Sequence, residues 1–335
     1  MNKKKFRVVI ALILCLVLAF TLVGCKKESK EPEVEKVYYT NELTGEKSEE
    51  PIEAVRPLQV SIDNVGSAIP QSYLSMADLV YEFPVEGRQS RLQAIFYGTM
   101  PEHFGPIRSV RTYFIDLARE YNSVFLGHGW SPTSKEYLLS NIVPYINAMN
   151  SDCAFYRVDD KEAPHNSYLD WSEVKRKIDE NGWWDEDIEI EPFQFLDEED
   201  VVTGDEATYI EVDYGASYCE YTYDAESKLY KRTIDGFDYV DRETNEVIEV
   251  SNILIQRVYS YPEPTENNKG RLVIDMCAGG DAVLYTNGVA IEGTWTRDSL
   301  DSRTVFVDNE GNQFKLQPGH TWVQIADQGC SVYHE

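Results

Sequence analysis

The first 25 residues constrain this chain more than any other stretch. Four basic residues, at positions 3, 4, 5 and 7, precede an almost unbroken apolar run over positions 8–22. A basic start followed by a short apolar run is typical of an export signal. A plain transmembrane anchor is the alternative, but the run is shorter than the roughly 20 residues that a spanning helix needs. The pattern therefore predicts that the rest of the chain folds outside the cytoplasm.

The residues that end the apolar run predict how the chain is held after export. Leu22, Val23, Gly24 and Cys25 follow one another directly. This tetrapeptide resembles the bacterial lipobox, which implies cleavage after residue 24 and lipidation of Cys25. We therefore expect a signal peptide over 1–24 and a lipid-anchored protein whose membrane partner is the cell membrane. We expect it on the extracytoplasmic face, in a Gram-positive bacterium.

The charge of the chain argues against nucleic acid as a partner. The 335 residues carry a formal net charge of −27, and the predicted signal holds four basic residues and no acid. The mature chain would therefore stand at −31. Binding to a phosphate backbone needs clustered Lys and Arg. A surface this acidic also repels anionic lipid head groups and wall polymers over most of its area.

The cysteines leave the disulfide state open. Of the six, Cys15 falls in the predicted signal and Cys25 is the predicted lipid site. The other four are Cys153, Cys219, Cys277 and Cys330. They are widely spaced and contain no C-x-x-C pair, so the spacing does not favour a zinc site. Two disulfides in any of three pairings, or four free thiols, are compatible with this pattern.

Composition divides the exported part into three segments. Residues 25–55 are polar and poor in large apolar side chains, which predicts a flexible tether. Residues 56–200 alternate strand-like and helix-like patterns, and an acidic stretch then leads to residues 205–335, which contain short β-rich runs and an Asn-Gly turn. We predict an α+β protein, with an α/β-type mixed-sheet domain followed by a smaller, mostly-β domain.

A basic island within the first domain is the main candidate site. Residues 88–111 contain four arginines, at 88, 91, 108 and 111, and one acid, Glu102. Arg108 and Arg111 fall where a helix is predicted to begin, a position that favours anions over cations. One interpretation is an anion-binding pocket built from the helix N-terminus, Ser109 and the arginines. The other is an internal ion-pair network with Glu82, Glu86, Asp78 or Asp116.

Ten residues in and around this island are the predicted ligand-binding set. They are Asp63, Asn64, Glu86, Arg91, Arg108, Ser109, Arg111, His128, His165 and Asn166. No catalytic residue, metal site or cofactor is assigned, because the five histidines show no zinc-ligand spacing.

Three alternative sites are weaker. Ser131 lacks the second glycine of a nucleophile elbow, and Pro132 favours an N-cap role for it. Glu82 and Glu86 would lie roughly 13 Å apart on a regular strand, too far for a glycosidase pair. Trp295 and Trp322 are predicted as core or rim aromatics, with a glycan-stacking platform as the alternative.

The order of short motifs resembles a known family. The motifs are I-D-N, P-Q, A-D-L-V-Y-E, V-E-G, G-P-I-R-S-V-R and P-H-N, then N-G-V-A-I-E-G-T-W at 287–295 and L-Q-P-G-H-T-W-V-Q-I at 316–325. Over 56–330 this order resembles the YerB-like lipoprotein family, a two-domain family of undefined function. The chain departs from it at Gly87-Arg88 and at 128–131, where the family tends to have more glycine. The resemblance implies an anchored extracytoplasmic protein and supplies no reaction.

These observations favour binding over catalysis. The leading hypothesis is capture of an anionic envelope ligand, or of an envelope protein, without turnover. The alternative is a phosphotransferase-like enzyme acting on cell-wall polymer or lipid-linked phosphate, which would normally need a divalent metal beside the arginines. A third class is a structural protein with no small-molecule site.

Overall fold

The computed structural model describes residues 38–52, 56–184, 188–264 and 269–335. The predicted signal peptide, Cys25 and residues 26–37 lie outside the described residues. The predicted α+β class is confirmed, because three helices within the described ranges accompany a large number of strands in mixed sheets. No helix in the described part is long and apolar enough to cross a membrane.

Most of the chain forms strands, many of them short. In chain order, the first thirteen strands are β1 (Tyr39–Thr40), β2 (Lys47–Ser48), β3 (Leu58–Asp63), β4 (Leu79–Pro84), β5 (Ser90–Phe96), β6 (His103–Phe104), β7 (Val124–Gly127), β8 (Tyr145–Asn147), β9 (Tyr156–Arg157), β10 (Ser167–Asp170), β11 (Gln194–Phe195), β12 (Asp205–Glu206) and β13 (Tyr209–Asp213). The others are β14 (Tyr218–Asp224), β15 (Leu229–Ile234), β16 (Phe237–Asp238), β17 (Glu249–Val250), β18 (Asn252–Arg257), β19 (Ser260–Pro262), β20 (Leu272–Ile274), β21 (Gly280–Thr286), β22 (Val289–Thr296), β23 (Val305–Asp308), β24 (Lys315–Leu316), β25 (Thr321–Ala326) and β26 (Ser331–His334).

Three helices, α1 (Thr112–Glu120), α2 (Pro132–Leu139) and α3 (Trp171–Asn181), lie between strands of the first half of the described chain. Ser131 is the N-cap of α2, and Pro132 is its first residue. Asp170 is the N-cap of α3, but its side chain makes no capping hydrogen bond. Gly182 ends α3 with a positive φ of 64°, as a left-handed C-cap requires.

The central sheet has eleven strands and runs through nearly the whole described chain. Its order is β12-β22-β21-β18-β25-β4-β5-β3-β7-β8, with β23 beside β22. Strand β25, from the end of the chain, pairs in parallel with both β18 and β4. Both β4 and β25 are buried along their whole length, as strands covered on two faces must be. The sheet is thus continuous across the boundary predicted between residues 200 and 205.

A hydrophobic core lies on each face of this sheet. On one face Phe83 packs with α1 residues such as Phe114. On the other, Val80 and Trp322 belong to a core shared with Tyr221 and Tyr230 of a six-stranded antiparallel sheet. That second sheet has the order β16-β15-β14-β13-β26, with β17 beside β15. The period of two along β15 puts its inward residues in this core.

Part of the predicted tether is folded. Residues 38–52 form a β1–β2 hairpin in which Leu43 is 0% exposed. Asn41 Nδ2 donates to Asp78 Oδ1 at 2.6 Å and to the Tyr97 carbonyl at 3.2 Å. The Gly319 amide also donates to the Thr44 carbonyl at 2.8 Å, and Thr44 is 0% exposed. These contacts hold in place a segment whose composition predicts flexibility. The prediction of a tether reaching residue 55 is wrong for residues 38–52.

Candidate functional site at the carboxyl edge of the sheet

The predicted site residues lie at one edge of the central sheet. Strands β3, β4, β7, β8, β18 and β25 are mutually parallel, so their carboxyl ends share this edge. Asp63 ends β3, and Arg91 is its register partner on the antiparallel strand β5. Helix α1 starts at this edge, after a segment bridged to the end of β3 through Ile62 and Ile107. Open α/β sheets commonly bind ligands outside the carboxyl ends of their strands.

Asp63 is the buried centre of the first group of contacts. Its side chain is 1% exposed, and Oδ2 lies 2.7 Å from His165 Nδ1 and 2.9 Å from Arg108 Nε. Its Oδ1 is buried and has no hydrogen-bond partner among the described residues. The side chains of Arg108 and His165 are 23% and 22% exposed. The buried Asp63 carboxylate thus contacts two partly exposed side chains, the cationic Arg108 and the ionisable His165.

Arg111 and Glu86 form the second group. Arg111 Nε and Nη2 donate to the two Glu86 carboxylate oxygens, each at 2.8 Å, and Arg111 Nη1 donates to the Val110 carbonyl. Burial acts to raise the pKa of Glu86, but the hydrogen bonds and charge of Arg111 outweigh it, so the pKa lies below its usual range. This bidentate pair matches the internal ion-pair interpretation.

Arg91 lies between these two groups and forms no ion pair with a carboxylate of the described residues. It is 7% exposed, and its Nη1 donates to the Ser109 carbonyl at 2.9 Å. Its Nε is buried and makes no hydrogen bond within the described ranges. Burial, and then the nearby charges of Arg111 and Arg108, lower the pKa of Arg91 to about 10. Arg91, Arg108 and Arg111 lie near two carboxylates, those of Asp63 and Glu86, and Arg271 Nε also lies 3.7 Å from Glu86 Oε1. The arginines of this group therefore outnumber its carboxylates, and Arg91 is the one without an ion pair among the described residues.

Three other predicted residues shape the surroundings of this group. Ser109 Oγ donates to the His128 carbonyl at 3.1 Å, and His128 Nδ1 lies 2.5 Å from Ser167 Oγ. Asn166 accepts from Arg157 Nη1 at 2.6 Å and donates to two carbonyls of its own loop. Burial, and then Arg157 and Arg108, lower the pKa of His128, which favours the neutral imidazole. Ser109 and Asn166 therefore act on the backbone that positions Arg108 and His165.

Asn64 enters a different network from its neighbour Asp63. Asn64 Nδ2 donates to Glu82 Oε1 at 3.0 Å, and Asn64 Oδ1 accepts from Tyr239 OH at 2.6 Å. Glu82 in turn pairs at 2.9 Å with Arg232, which is fully buried on β15. The grouping of Asn64 with the ligand-binding residues is therefore not supported by its contacts, which join the two sheets.

The other acids proposed as partners of the arginine island form their hydrogen bonds with residues outside it. Asp78 accepts from Asn41 and from the Tyr97 amide, and Asp116 accepts from Tyr137 OH at 2.8 Å. Arg88 pairs with Asp327 beyond β25. Of the four acids, only Glu86 pairs with an island arginine.

The weaker alternatives also have clear structural outcomes. Ser131 Oγ accepts from the Ser134 amide and is buried, so it is a helix cap rather than an exposed nucleophile. Trp295 and Trp322 are both 0% exposed, so they cannot form a glycan-stacking platform.

Cys153, Cys219, Cys277 and Cys330 are free thiols. Across the described ranges, no group of three His, Cys, Asp or Glu side chains could hold a metal ion.

Sequence reasoning missed two residues with a role near this edge. Arg157 faces the His128 region from β9, and nothing in its local pattern distinguishes it from a solvated arginine. The burial of Arg232 could have been predicted from the sequence, because the period of two on β15 puts it on the same face as Tyr230 and Ile234. An arginine on an inward face predicts a buried acidic partner.

Comparison with known proteins agrees with the resemblance found in the motifs. Residues 43–184 match the family described as "Protein of unknown function (DUF3048) N-terminal domain", and residues 210–323 match the DUF3048 C-terminal domain. The chain is 36% identical over 328 residues to "Putative lipoprotein YerB" of Bacillus subtilis (strain 168), with 96% of each chain covered. The crystal structure of the Bacillus subtilis YerB protein superposes with a TM-score of 0.79 at 34% identity, covering 88% of this chain and 99% of that one. The chain therefore belongs to the DUF3048 family, the family of YerB-like proteins.

Proposed function

We propose that this protein is a lipid-anchored, extracytoplasmic binding protein that captures an anionic envelope ligand at the carboxyl edge of its central sheet. The observation that carries the proposal is the unmatched charge of Arg91. The lipobox-like end at Cys25, and the lipoprotein name of the Bacillus subtilis relative, support the anchor.

Arg91 is energetically incomplete without a further anion. A buried charge needs both an opposite charge and hydrogen bonds to offset the loss of water. Asp63 is engaged by His165 and Arg108 through Oδ2, its Oδ1 makes no hydrogen bond to a described residue, and Glu86 is engaged on both oxygens by Arg111. An anion that reached Arg91 Nε would supply the missing partner.

The surroundings of Arg91 favour a phosphate, sulfate or carboxylate group. Guanidinium forks match the planar or tetrahedral oxygens of such groups. Arg108 and His165 are partly exposed, so a ligand can approach them from solvent. The amide groups at the start of α1, directly after Arg111, add the partial positive charge of a helix N-terminus.

Thermal unfolding of the purified protein with a panel of anions tests this function. The panel is sulfate, phosphate, pyrophosphate and citrate, each with and without Mg²⁺. A ligand at 100 times its dissociation constant stabilises the native state by about 2.7 kcal/mol. We expect at least one anion to raise the melting temperature of the wild type, and Arg91→Met to abolish that rise.

Arg176→Met is the matched control, because Arg176 makes only surface ion pairs on and beside α3. It should keep the anion-dependent rise. An equal rise in Arg91→Met, or no rise with any anion, would contradict the proposal. A rise that depends on Mg²⁺ would point to the phosphotransferase-like alternative.

A further inference from the structure

We infer that a second site, an aromatic groove at the amino edge of the central sheet, binds an uncharged oligosaccharide. The groove is lined by the aromatic side chains of Tyr39, Tyr97, Trp171 and Trp184. This site is separate from the anion site, and the inference does not depend on the proposed function.

The aromatic groove lies at the opposite end of the strands from the anion site. Asp78 directly precedes β4, His320 directly precedes β25, and both line the groove. Tyr97 directly follows β5, which runs antiparallel to β4, so it reaches the same edge. The six residues of β4 therefore separate the two sites by roughly 20 Å.

The aromatic groove is large, and both of its walls are tied to the rest of the fold. Its volume is about 1040 Å³, at the upper end of the roughly 300–1,000 Å³ that small-molecule sites occupy. One wall is the β1–β2 hairpin, which Asn41 joins to Asp78. The other wall is α3 and the residues after it, where Arg56 Nη1 donates to the Trp183 carbonyl at 2.8 Å. A site that is already formed has less ordering entropy to lose on binding.

Aromatic rings line both walls of the groove. Trp171 and Trp184 are partly exposed, and their ring centroids lie 6.4 Å apart at an interplanar angle of 72°. On the hairpin wall Tyr39 is 41% exposed. A pyranose ring has a face of C–H groups and an edge of hydroxyl groups, so aromatic rings pack on the face while polar groups bond the edge. The groove thus has the partly exposed tryptophans that the buried Trp295 and Trp322 cannot supply.

The charges of the groove favour an uncharged ligand. Its described lining sets Glu46, Glu50 and Asp78 against Lys47 and Lys175. Of these, all but Asp78 are exposed to solvent, which screens them. The two Asp78 oxygens already accept hydrogen bonds from Asn41 Nδ2 and from the Tyr97 amide. This lining therefore offers neither the cluster of cations that an anion needs nor an open carboxylate for a cation.

Polar groups that can bond sugar hydroxyls are also present. The side chains of Lys47 and Thr99 line the groove and have no hydrogen-bond or ion-pair partner among the described residues. Stacking surfaces, free donors and nearly balanced charge together match an oligosaccharide.

Isothermal titration of the full-length protein with four probes tests this inference. The probes are chitotetraose, cellotetraose, maltotetraose and, as an uncharged-side-chain peptide of similar length, tetra-alanine. We expect at least one tetrasaccharide to bind. Trp184→Ala should weaken the binding of that sugar roughly tenfold, because it removes a stacking ring and its apolar area.

Tyr39→Ala tests the other wall and separates binding from folding. The Tyr39 side chain is exposed and makes no hydrogen bond to a described residue, so this variant should keep the wild-type melting temperature and still bind the sugar more weakly. Trp130→Ala is the matched control, because Trp130 is a partly exposed tryptophan outside the groove, with Lys135 over its ring. It should keep the wild-type affinity.

Four results would overturn the inference. They are no binding of any tetrasaccharide, binding of tetra-alanine alone, an affinity unchanged in either groove variant, and an equal loss in Trp130→Ala. Each of them leaves the anion site untouched, since that site is tested by Arg91→Met.

Discussion

Arg91 and Arg111 lie side by side but have opposite relations to their neighbours. Arg111 donates hydrogen bonds to both carboxylate oxygens of Glu86. Arg91 donates one hydrogen bond, to a backbone carbonyl, and its Nε has no hydrogen-bond partner among the described residues. Removing Arg111 therefore leaves Glu86 without both of these hydrogen bonds, with Arg271 Nε at 3.7 Å as its remaining cationic contact among the described residues. Removing Arg91 leaves no carboxylate without a cationic or hydrogen-bonding neighbour, because Asp63 still contacts His165 and Arg108.

This difference predicts unequal effects on stability. Arg111→Met should lower the free energy of unfolding by roughly 1–2 kcal/mol, a cost reduced from the fully buried case because Glu86 is partly exposed. Arg91→Met should change it by less than about 1 kcal/mol, the worth of one hydrogen bond. Urea unfolding without added anion measures both values. A larger loss in Arg91→Met than in Arg111→Met would make Arg91 a structural residue and contradict its role in the site.

The motifs predicted the arginines of this site better than their partners. The charge of the island and the predicted helix start selected Arg108, Ser109 and Arg111 as candidate site residues. The separation of Asp63 from Asn64 could not be predicted, because it depends on which distant side chains reach each of them. The partner of Glu82, for example, lies 150 residues away.

The β1–β2 hairpin is a small element that contacts the rest of the chain in part through the buried carboxyl group of Asp78. Burial raises the pKa of Asp78 to about 7, against the lowering effect of its hydrogen bonds with the Tyr97 amide and Asn41. In the unfolded chain an aspartate deprotonates near pH 4. The folded state therefore binds more protons between about pH 4 and pH 7, and its stability falls as the pH rises through this window.

Asp78→Asn should remove this pH dependence. We expect the wild type to lose up to about 4 kcal/mol of unfolding free energy between pH 4 and pH 8, because the pKa of this one group differs by about 3 between the folded and unfolded chain. The variant should lose less over the same range, because its amide does not titrate. Denaturant unfolding at four pH values measures the slopes, with Asp281→Asn, at an exposed position of β21, as a control whose slope should follow the wild type. Equal slopes in Asp78→Asn and the wild type would show that Asp78 does not control the effect.

Local patterns predicted the helices more successfully than this hairpin. The helix start predicted near Arg108 and Arg111 agrees with Arg111 as the N-cap of α1, and the N-cap role predicted for Ser131 agrees with the start of α2. The sequence of residues 38–52 contains no pattern that predicts a folded element, because a single buried leucine in a polar segment cannot show a helical or strand periodicity. Their docking depends on Asp78, which the chain reaches only 37 residues after Asn41.

The whole molecule is organised around a sheet that both family domains build. Strands β4 and β5 come from the N-terminal match, while β18, β21 and β22 come from the C-terminal match. Glu82 and Arg232 join the central sheet to the second sheet at a fully buried ion pair. Arg232 also lies over the rings of Tyr239 and Trp322, at 4.1 and 4.4 Å from their centroids. The composition shift near residue 200 could not reveal this shared sheet, because parallel pairing between distant strands leaves no local pattern.

Breaking this ion pair should destabilise the molecule as one unit. Glu82→Gln leaves Arg232 as an uncompensated buried charge, which costs roughly 3–5 kcal/mol. We expect a single unfolding transition, shifted as a whole, in both near-ultraviolet circular dichroism and tryptophan fluorescence. The double variant Glu82→Gln/Arg232→Met should lose less stability than the sum of the single variants. Two separate transitions, or a loss confined to one probe, would mean that the two sheets unfold independently.

The central claim is that Arg91 receives an anion from outside the chain, and a crystal soaked in selenate tests it most directly. Selenate resembles sulfate in charge and shape, and its selenium gives an anomalous signal that locates the ion. We expect an anomalous peak whose oxygens lie within about 3 Å of Arg91 Nε and of Arg108. We expect no such peak in Arg91→Met. Selenate bound only elsewhere, or an Arg91 Nε paired with a carboxylate of the chain itself, would contradict the claim.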